Sequence, residues 1–202
     1  MTRKARNEIL FDGCFAHILS RSFENKWLFE DAGDFEYFKG VLLKVKQEQG
    51  FLIHHYCLMR THVHFLVSIP EISKFSRALQ KLKWHYTARF NQRYQRNGPL
   101  WRERFRSQLI EDETYLYACG RYIEENPVKA GLVDRPEDWP HSSAAHYRFG
   151  GKDPLIDRYE FDPEKNALPK INQEMLEKGK AIGTELFLLH LEDGLLKDVS
   201  VP

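Results

Sequence analysis

The chain has 202 residues, of which 42% are hydrophobic and 29% charged, a size and balance that fit one globular domain with an appendage or two small domains. Its 30 basic and 29 acidic side chains give a net charge of only +1, and no apolar run reaches the length of a membrane span. The charged first eight residues lack the apolar stretch of a secretion signal, and three well-separated cysteines are too few for a disulfide framework, so we predict a cytoplasmic protein with reduced thiols.

Strand-like and helix-like runs alternate through the first 125 residues. In chain order they predict a strand at 11–21, a helix at 34–49, two strands at 51–59 and 63–69, a helix at 72–94, a strand or extended arm at 101–110, and a helix from 112 to about 125. Gly50 and Asn97-Gly98-Pro99 are typical stop signals for the first two helices, and Asn126-Pro127 is expected to end the third.

The order β-α-β-β-α-β followed by a helix predicts the fold class. It is the split βαβ arrangement of ferredoxin-like α+β folds, in which an antiparallel sheet carries helices on one face. We therefore predict one domain at residues 1–149. Residues 150–202 are polar and irregular, and we expect them to form a C-terminal extension with one or two helices between residues 172 and 191.

Two histidines, His62 and His64, stand two residues apart at the start of the second hairpin strand. Because side chains two apart on a strand point to the same face, the two imidazoles are predicted to lie side by side. Imidazole is the commonest side-chain metal ligand, so the pair indicates part of an open metal site. Taken alone, the spacing fits two histidines on a solvated strand face equally well.

Tyr122 and Asn126 are four residues apart on the third predicted helix and therefore lie on one helix face. Two imidazoles and an amide oxygen could hold a divalent ion and leave positions for a phosphate oxygen. A phenol near such an ion could attack a phosphodiester and form a covalent intermediate that conserves the energy of the bond. Tyr115 and Tyr117 are expected to pack the helix instead.

Positive charge is concentrated in one span of the chain. Residues 76–106 hold nine basic side chains and one acidic one, whereas residues 151–202 hold seven basic and eleven acidic ones. Such a one-sided span indicates a polyanionic partner such as nucleic acid, with a solvated helix face as the alternative. The residues predicted to contact DNA are Arg77, Lys81, Lys83, Arg89, Arg93, Arg102, Arg104 and Arg106, of which the last three are expected to alternate along one face of an extended segment. Trp84, Tyr86 and Phe90 in this span are expected to be core residues, with one exposed residue that stacks on bases as the alternative.

Four sequence blocks resemble the Y1 transposase family, the single-strand transposases of the IS200/IS605 type and their REP-associated relatives. They lie within residues 10–147 in the family's order, at 56–67 (YCLMRTHVHFLV), 98–105 (GPLWRERF), 121–133 (RYIEENPVKAGLV) and 136–143 (PEDWPHSS). A lone His-x-His pattern is weak evidence, whereas the four blocks together are highly specific.

The resemblance implies roles for individual residues. His62 and His64 match the family's metal ligands, Tyr122 matches its catalytic tyrosine, and Asn126 matches a third ligand. The family consists of HUH endonucleases, which implies Mg²⁺ or Mn²⁺ as cofactor and single-stranded DNA with a hairpin or palindromic repeats as partner. It also implies a 5′-phosphotyrosine intermediate with a free 3′-hydroxyl, formed by a monomer or by a homodimer that exchanges domains.

Two positions depart from the family's pattern. Arg60 stands where relatives usually have proline, and Glu125 where they usually have an apolar residue, which indicates a turn residue and a more exposed helix edge. Two other functions are open on this sequence: a DNA-binding regulator that keeps the fold but has lost cleavage, and a metal-sensing structural protein. The intact set of predicted site residues argues against the first, and the basic span argues against the second.

Overall fold

The computed structural model of the protein describes residues 10–110 and 113–158. Its elements are β1 (Cys14–Arg21), α1 (Ala32–Gln49), β2 (Leu52–Leu58), β3 (His62–Ile69), α2 (Ile72–Arg93), β4 (Arg106–Ile110), α3 (Glu113–Lys129) and α4 (Ala144–Phe149), with single 3-10 turns at Phe23–Asn25 and Pro136–Asp138. The helices predicted between residues 172 and 191 lie outside the described residues. Among those that are described, no helix combines the length and the apolar character needed to cross a membrane.

The four strands form one sheet in the order β2-β3-β1-β4. β1 pairs antiparallel with both β3 and β4, and β2 pairs antiparallel with β3. This order results when two βαβ units interleave their strands, so the predicted ferredoxin-like α+β fold is confirmed. The 60–61 turn joins β2 and β3 as the predicted hairpin.

Alternate residues of the strands divide between two apolar layers. Ala16 and Phe65 belong to the larger core, which includes the buried faces of α1 and α2, whereas Phe15 and Leu66 belong to a second cluster with Leu116 and other residues of α3. Because neighbouring strand residues point to opposite faces, α1 and α2 cover one face of the sheet and α3 covers the other. The expectation of helices on one face therefore holds for α1 and α2 but not for α3.

The ends of α1 show why the sequence stops that helix where it does. The Asp31 carboxylate accepts a hydrogen bond from the Asp34 amide at 3.2 Å, and so satisfies one of the donors left free at a helix start. At the other end, Gly50 takes the left-handed conformation, with φ of 71°. Glycine adopts this conformation without steric cost, and the predicted stop at Gly50 is confirmed.

The third helix continues past the point where the sequence predicted its end. It includes Pro127 and runs to Lys129. Proline has no N–H to donate to the carbonyl four residues earlier, which here belongs to Ile123. The Asn126 side-chain amide donates to that carbonyl at 3.2 Å and to the Tyr122 carbonyl at 2.8 Å. A side chain thus replaces the missing backbone donor, which explains why the predicted end was wrong.

Candidate active site

The two predicted histidine ligands open strand β3 on the face that α3 covers. His62 is paired across the sheet with Arg21, and His64 with Leu19. The centroids of the two imidazole rings are 4.9 Å apart. The alternation of strand side chains therefore brings both rings to one place, as the spacing predicted.

Each of these imidazoles uses Nδ1 in a hydrogen bond inside the protein. Nδ1 of His62 is 3.0 Å from the Thr61 hydroxyl, and Nδ1 of His64 is 2.9 Å from Nε2 of His17. Metal-binding histidines generally engage their second ring nitrogen in this way, which fixes the tautomer and the ring orientation. Nε2 of each ring is then the nitrogen through which it could bind a metal.

His17 is a site residue that sequence reasoning missed. It lies on β1 opposite Leu66, so it is a diagonal neighbour of His64 across the β1–β3 pair. In the sequence the two histidines are 47 residues apart. No local spacing could link them, and only the strand pairing with its exact register would have done so.

Burial keeps all three histidines neutral. It lowers the pKa of His17 to about 4 and that of His62 to about 4, with the nearby Arg21 charge as a further cause for His62. Burial first, and then the neighbouring histidines, hold the pKa of His64 well below its usual value. Neutral imidazole is the form that binds metal ions, so the environment favours the ligand state over a charged one.

Tyr122 reaches this histidine group from α3. Its ring meets the His17 ring edge to face at a centroid distance of 6.1 Å and the His64 ring at 6.0 Å. On the other side, the Lys129 ammonium lies 4.7 Å from the centre of the Tyr122 ring. The structure therefore places the predicted nucleophile beside the predicted metal ligands.

The other two tyrosines of α3 lie away from this group. Tyr115 is buried in the apolar cluster beneath the helix, as expected. Tyr117 is 53% exposed, so the expectation that it packs the helix is wrong. The Glu125 carboxylate is half-exposed and pairs with Lys129 at 3.1 Å, in agreement with an exposed helix edge at that position.

Asn126 is buried one helical turn beyond Tyr122. Because its amide nitrogen donates to two backbone carbonyls of α3, its amide oxygen points away from them. The described residues hold no group of three or more His, Cys, Asp or Glu side chains that could bind a metal. Two neutral imidazoles with an amide oxygen would form a ligand set that suits a divalent ion.

Comparison with known proteins shows the family to which the chain belongs. The family model described as transposase IS200 like matches residues 11–126, more than half of the chain. The chain belongs to this family. The match begins just before β1 and ends at Asn126, so it includes the three histidines, Tyr122 and all four strands.

Two relatives and one solved structure resemble the chain. A Haemophilus influenzae protein assigned by name to the REP-associated tyrosine transposases is 35% identical over 98 residues, which cover 43% of this chain and 55% of that protein. The REP-associated tyrosine transposase of Escherichia coli is 26% identical over 110 residues, 54% of this chain and 64% of that protein. The matches thus span less than two thirds of either relative. A REP-associated tyrosine transposase solved with a REP hairpin has the same fold, with a TM-score of 0.63 and 21% identity over 80% of this chain and 94% of that one.

Most of the predicted DNA-contacting residues do not line this site. Helix α2 packs on the opposite face of the sheet, so Arg77 and Arg89 lie across the sheet from the histidines. Lys81 pairs with Glu48, and the Lys83 ammonium donates to the carbonyls of residues 103 and 104. A count of cations along the sequence could not show which face α2 covers.

Arg93 has a structural role at the end of α2. Its guanidinium contacts the carboxylates of Asp31 and Asp34 at 2.6 Å each, which ties the end of α2 to the start of α1. Asp34 is buried and also accepts a hydrogen bond from the Tyr94 hydroxyl at 2.8 Å. The basic residue thus neutralises a buried acid, a role that composition did not indicate.

Arg106 is the predicted DNA contact that lies on the face of the site. It pairs with Leu19, which in turn pairs with His64, so the three side chains form one row across the sheet. Arg102 and Arg104 precede β4, which begins only at Arg106, and lie in a bend at residues 102–104, although all three arginines are exposed. Arg21, opposite His62, is a further cation at this end of the sheet that the sequence reasoning did not identify.

The remaining aromatic residues and thiols follow most expectations. Tyr86 and Phe90 are buried in the larger core, but Trp84 is 66% exposed and its predicted place in the core is wrong. The three cysteines are free and buried, as predicted.

Proposed function

We propose that this protein cleaves and rejoins single-stranded DNA that carries a hairpin, through a covalent 5′-phosphotyrosine intermediate on Tyr122. The observation that carries the proposal is the contact of the Tyr122 ring with His64 and His17, at centroid distances of 6.0 and 6.1 Å. The proposed nucleophile, two potential metal ligands and the hydrogen-bond partner of His64 thus lie close together within one chain. This is the arrangement that metal-assisted transfer of a phosphodiester requires.

His62 and His64 would hold Mg²⁺ or Mn²⁺ through Nε2, and Asn126 would contribute its amide oxygen. The bound ion would polarise the scissile phosphodiester and offset charge on its oxygens. Mixed nitrogen and oxygen ligation suits Mn²⁺ better than Mg²⁺, which prefers oxygen ligands alone. The lowered pKa values of His62 and His64, which keep both imidazoles neutral, support this assignment.

In the cleavage step, the Tyr122 oxygen attacks phosphorus and loses its proton, and the bond from phosphorus to the 3′-oxygen breaks. The 3′-oxygen gains a proton and leaves as a free hydroxyl, while the 5′ side stays bound to the tyrosine. Rejoining is the reverse reaction, in which a 3′-hydroxyl attacks the phosphotyrosine and releases the phenol. One phosphoester bond replaces another in each step, so no external energy source is needed.

Hairpin DNA is the proposed substrate because the solved relative of the same fold is described as bound to a REP hairpin. Tyr122 contacts histidines of its own chain, so we infer that one chain supplies a complete site. Mixing a His64→Ala variant with a Tyr122→Phe variant tests this point. Two inactive variants that together restore cleavage would instead show that Tyr122 acts across a homodimer.

The test of the function is a covalent-adduct assay with labelled hairpin-bearing single-stranded DNA and Mn²⁺. The wild-type protein should form an adduct that survives SDS, and Tyr122→Phe should bind the DNA without forming it. Tyr117→Phe, on the same helix but exposed, is the matched control and should form the adduct normally. An adduct that persists in Tyr122→Phe would refute the assignment of the nucleophile, and binding without any adduct in the wild type would favour a DNA-binding regulator.

A further inference from the structure

Glu124 joins α3 to the edge of the sheet through two hydrogen bonds. One of its carboxylate oxygens lies 2.8 Å from Nδ1 of His55 on β2 and accepts a hydrogen bond from the Ser143 hydroxyl at 2.6 Å. The side chains of Glu124 and His55 are 14% and 13% exposed. This mostly buried polar cluster stands two residues from Tyr122, and the proposed reaction gives it no task.

Ser143 belongs to a segment that extends the sheet beyond β2, its edge strand. The Leu58 amide donates to the His141 carbonyl at 2.9 Å, and the Ser143 amide donates to the Tyr56 carbonyl at 3.0 Å. The Trp139 indole also donates to the Leu58 carbonyl at 3.1 Å. The segment at residues 139–143 is therefore fixed to β2 along its length, and Ser143 gives Glu124 a rigid partner.

The backbone of α3 also approaches β2 closely at His55. A methyl group added at Gly120 would lie 2.6 Å from Nε2 of His55, closer than any real contact of this kind. Gly120 and Glu124 are four residues apart, so they lie on the same face of the helix. His55 therefore meets α3 at two successive turns, and the Tyr147 ring stacks on its imidazole at a centroid distance of 4.4 Å.

We propose that Glu124 is a positioning residue, which with His55 and Ser143 sets the place of Tyr122 relative to His64. The apolar residues beneath α3 hold the helix to the sheet, but apolar contact has no preferred direction and would tolerate sliding along the strands. Hydrogen bonds at 2.6–2.8 Å do have a direction. A displacement of about 1 Å at a reacting group can cost about 100-fold in rate, so this restraint has consequences for the reaction.

The inference rests on the proposed function, and its first test measures the rate of adduct formation. Adduct formation is followed in a single turnover with DNA in excess, alongside the Kd for DNA. Glu124→Ala should lower the rate constant about tenfold or more while the Kd changes less than about twofold. Glu124→Gln keeps an oxygen that can accept from both partners and should restore most of the rate. Ser143→Ala should be slow, whereas its neighbour Ser142→Ala, which does not contact Glu124, should match the wild type.

Gly120→Ala provides an independent route to the same result. It keeps every hydrogen-bonding group of the cluster but forces α3 away from His55, and so should also lower the rate constant with little change in the Kd. If Glu124→Ala lowers the folded fraction, Ser143→Ala and Gly120→Ala decide the question. Wild-type rates in Glu124→Ala, or in both of the other two variants, would overturn the proposal.

A readout without DNA or metal separates this inference from the proposed function. With 3-fluorotyrosine placed at position 122, the fluorine NMR signal should shift or broaden in Glu124→Ala and Gly120→Ala but not in Ser142→Ala. If the wild type forms no adduct, the proposed function fails, and the fluorine signal still tests whether Glu124 positions Tyr122. If the fluorine signal is unchanged in both Glu124→Ala and Gly120→Ala, Glu124 does not position Tyr122, whether or not the wild type forms an adduct.

Discussion

The imidazole rings of His17 and His64 lie parallel to within 6°, with centroids 5.2 Å apart and Nε2 of His17 only 2.9 Å from Nδ1 of His64. If His64 binds a metal through Nε2, its Nδ1 carries the proton and donates to His17. His17 must then accept through Nε2, which fixes its own tautomer. His17 on β1 would therefore orient His64 on β3 for metal binding.

This relationship predicts a loss of metal affinity in His17→Phe, which keeps a buried ring but removes the acceptor. Loss of such a partner typically weakens metal binding about 10- to 100-fold, and we expect that range for Mn²⁺. The measurement is a Mn²⁺ titration followed by electron paramagnetic resonance. His85→Ala, on α2 across the sheet, is the control and should bind Mn²⁺ as the wild type does. Equal affinity in His17→Phe would show that the contact has no influence on the site.

Asn126 donates to two backbone carbonyls and is also the proposed third metal ligand, and a single substitution can separate the two roles. In Asn126→Asp an oxygen remains for the metal, but the amide donor to the carbonyls of Tyr122 and Ile123 is lost. Because a carboxylate would then face those carbonyls, we expect the free energy of unfolding to fall by about 1–3 kcal/mol. Mn²⁺ affinity should be retained. Asn91→Asp, which removes an exposed amide donor to the Gly98 carbonyl, should cost less.

Urea unfolding and Mn²⁺ titration on the same samples separate the structural role of Asn126 from its proposed role as a metal ligand. Asn126→Ala removes both functions and should lower stability and metal affinity together. Unchanged stability in Asn126→Asp would mean that the amide does not support the proline-containing turn. A loss of Mn²⁺ binding in Asn126→Asp would mean that the oxygen is not a ligand.

Stability should fall with acid because of buried neutral histidines such as His54. Nδ1 of His54 donates to the Asp157 carbonyl at 2.9 Å, its Nε2 lies 3.0 Å from the Ser68 hydroxyl, and burial lowers its pKa to about 4. In the unfolded chain the group titrates near about 6.5. Between these two values the unfolded state binds the proton and the folded state does not, so stability is lost as the pH falls from about 6.5 to 4.

The contribution of His54 to this loss should be about 3 kcal/mol. It is measured as the difference between wild type and His54→Asn in the slope of unfolding free energy against pH. His54→Asn can still donate to the Asp157 carbonyl and should show a shallower slope, although its stability at neutral pH is lower. His85→Ala, at a half-buried position on α2, is measured alongside as the control. Parallel slopes for wild type and His54→Asn would contradict the assignment.

The sequence predicted those parts of the molecule that depend on local periodicity. The elements, the βαββαβ order and the shared face of His62 and His64 all follow from spacings of two to four residues. The contact of His17 with His64 depends on the register of two strands 47 residues apart, which no local pattern contains. The extension of α3 depends on one rotamer of Asn126. Which basic residues lie on the same side of the sheet as the histidines depends on which face α2 covers. These are consequences of tertiary packing, which can override local propensity.

The last prediction compares two arginines on opposite faces of the sheet, whose replacement by alanine should affect different properties of the protein. Arg106 lies in the row of side chains that includes His64, so Arg106→Ala should weaken binding of hairpin DNA and reduce the salt dependence of log Kd by about 1. Arg93 instead neutralises buried Asp34, so Arg93→Ala should lower the unfolding free energy and leave the salt dependence unchanged. Binding isotherms at several salt concentrations, with urea unfolding of both variants, make the comparison. A reduced salt slope in Arg93→Ala but not in Arg106→Ala would place the DNA on the α2 side of the sheet, away from Tyr122.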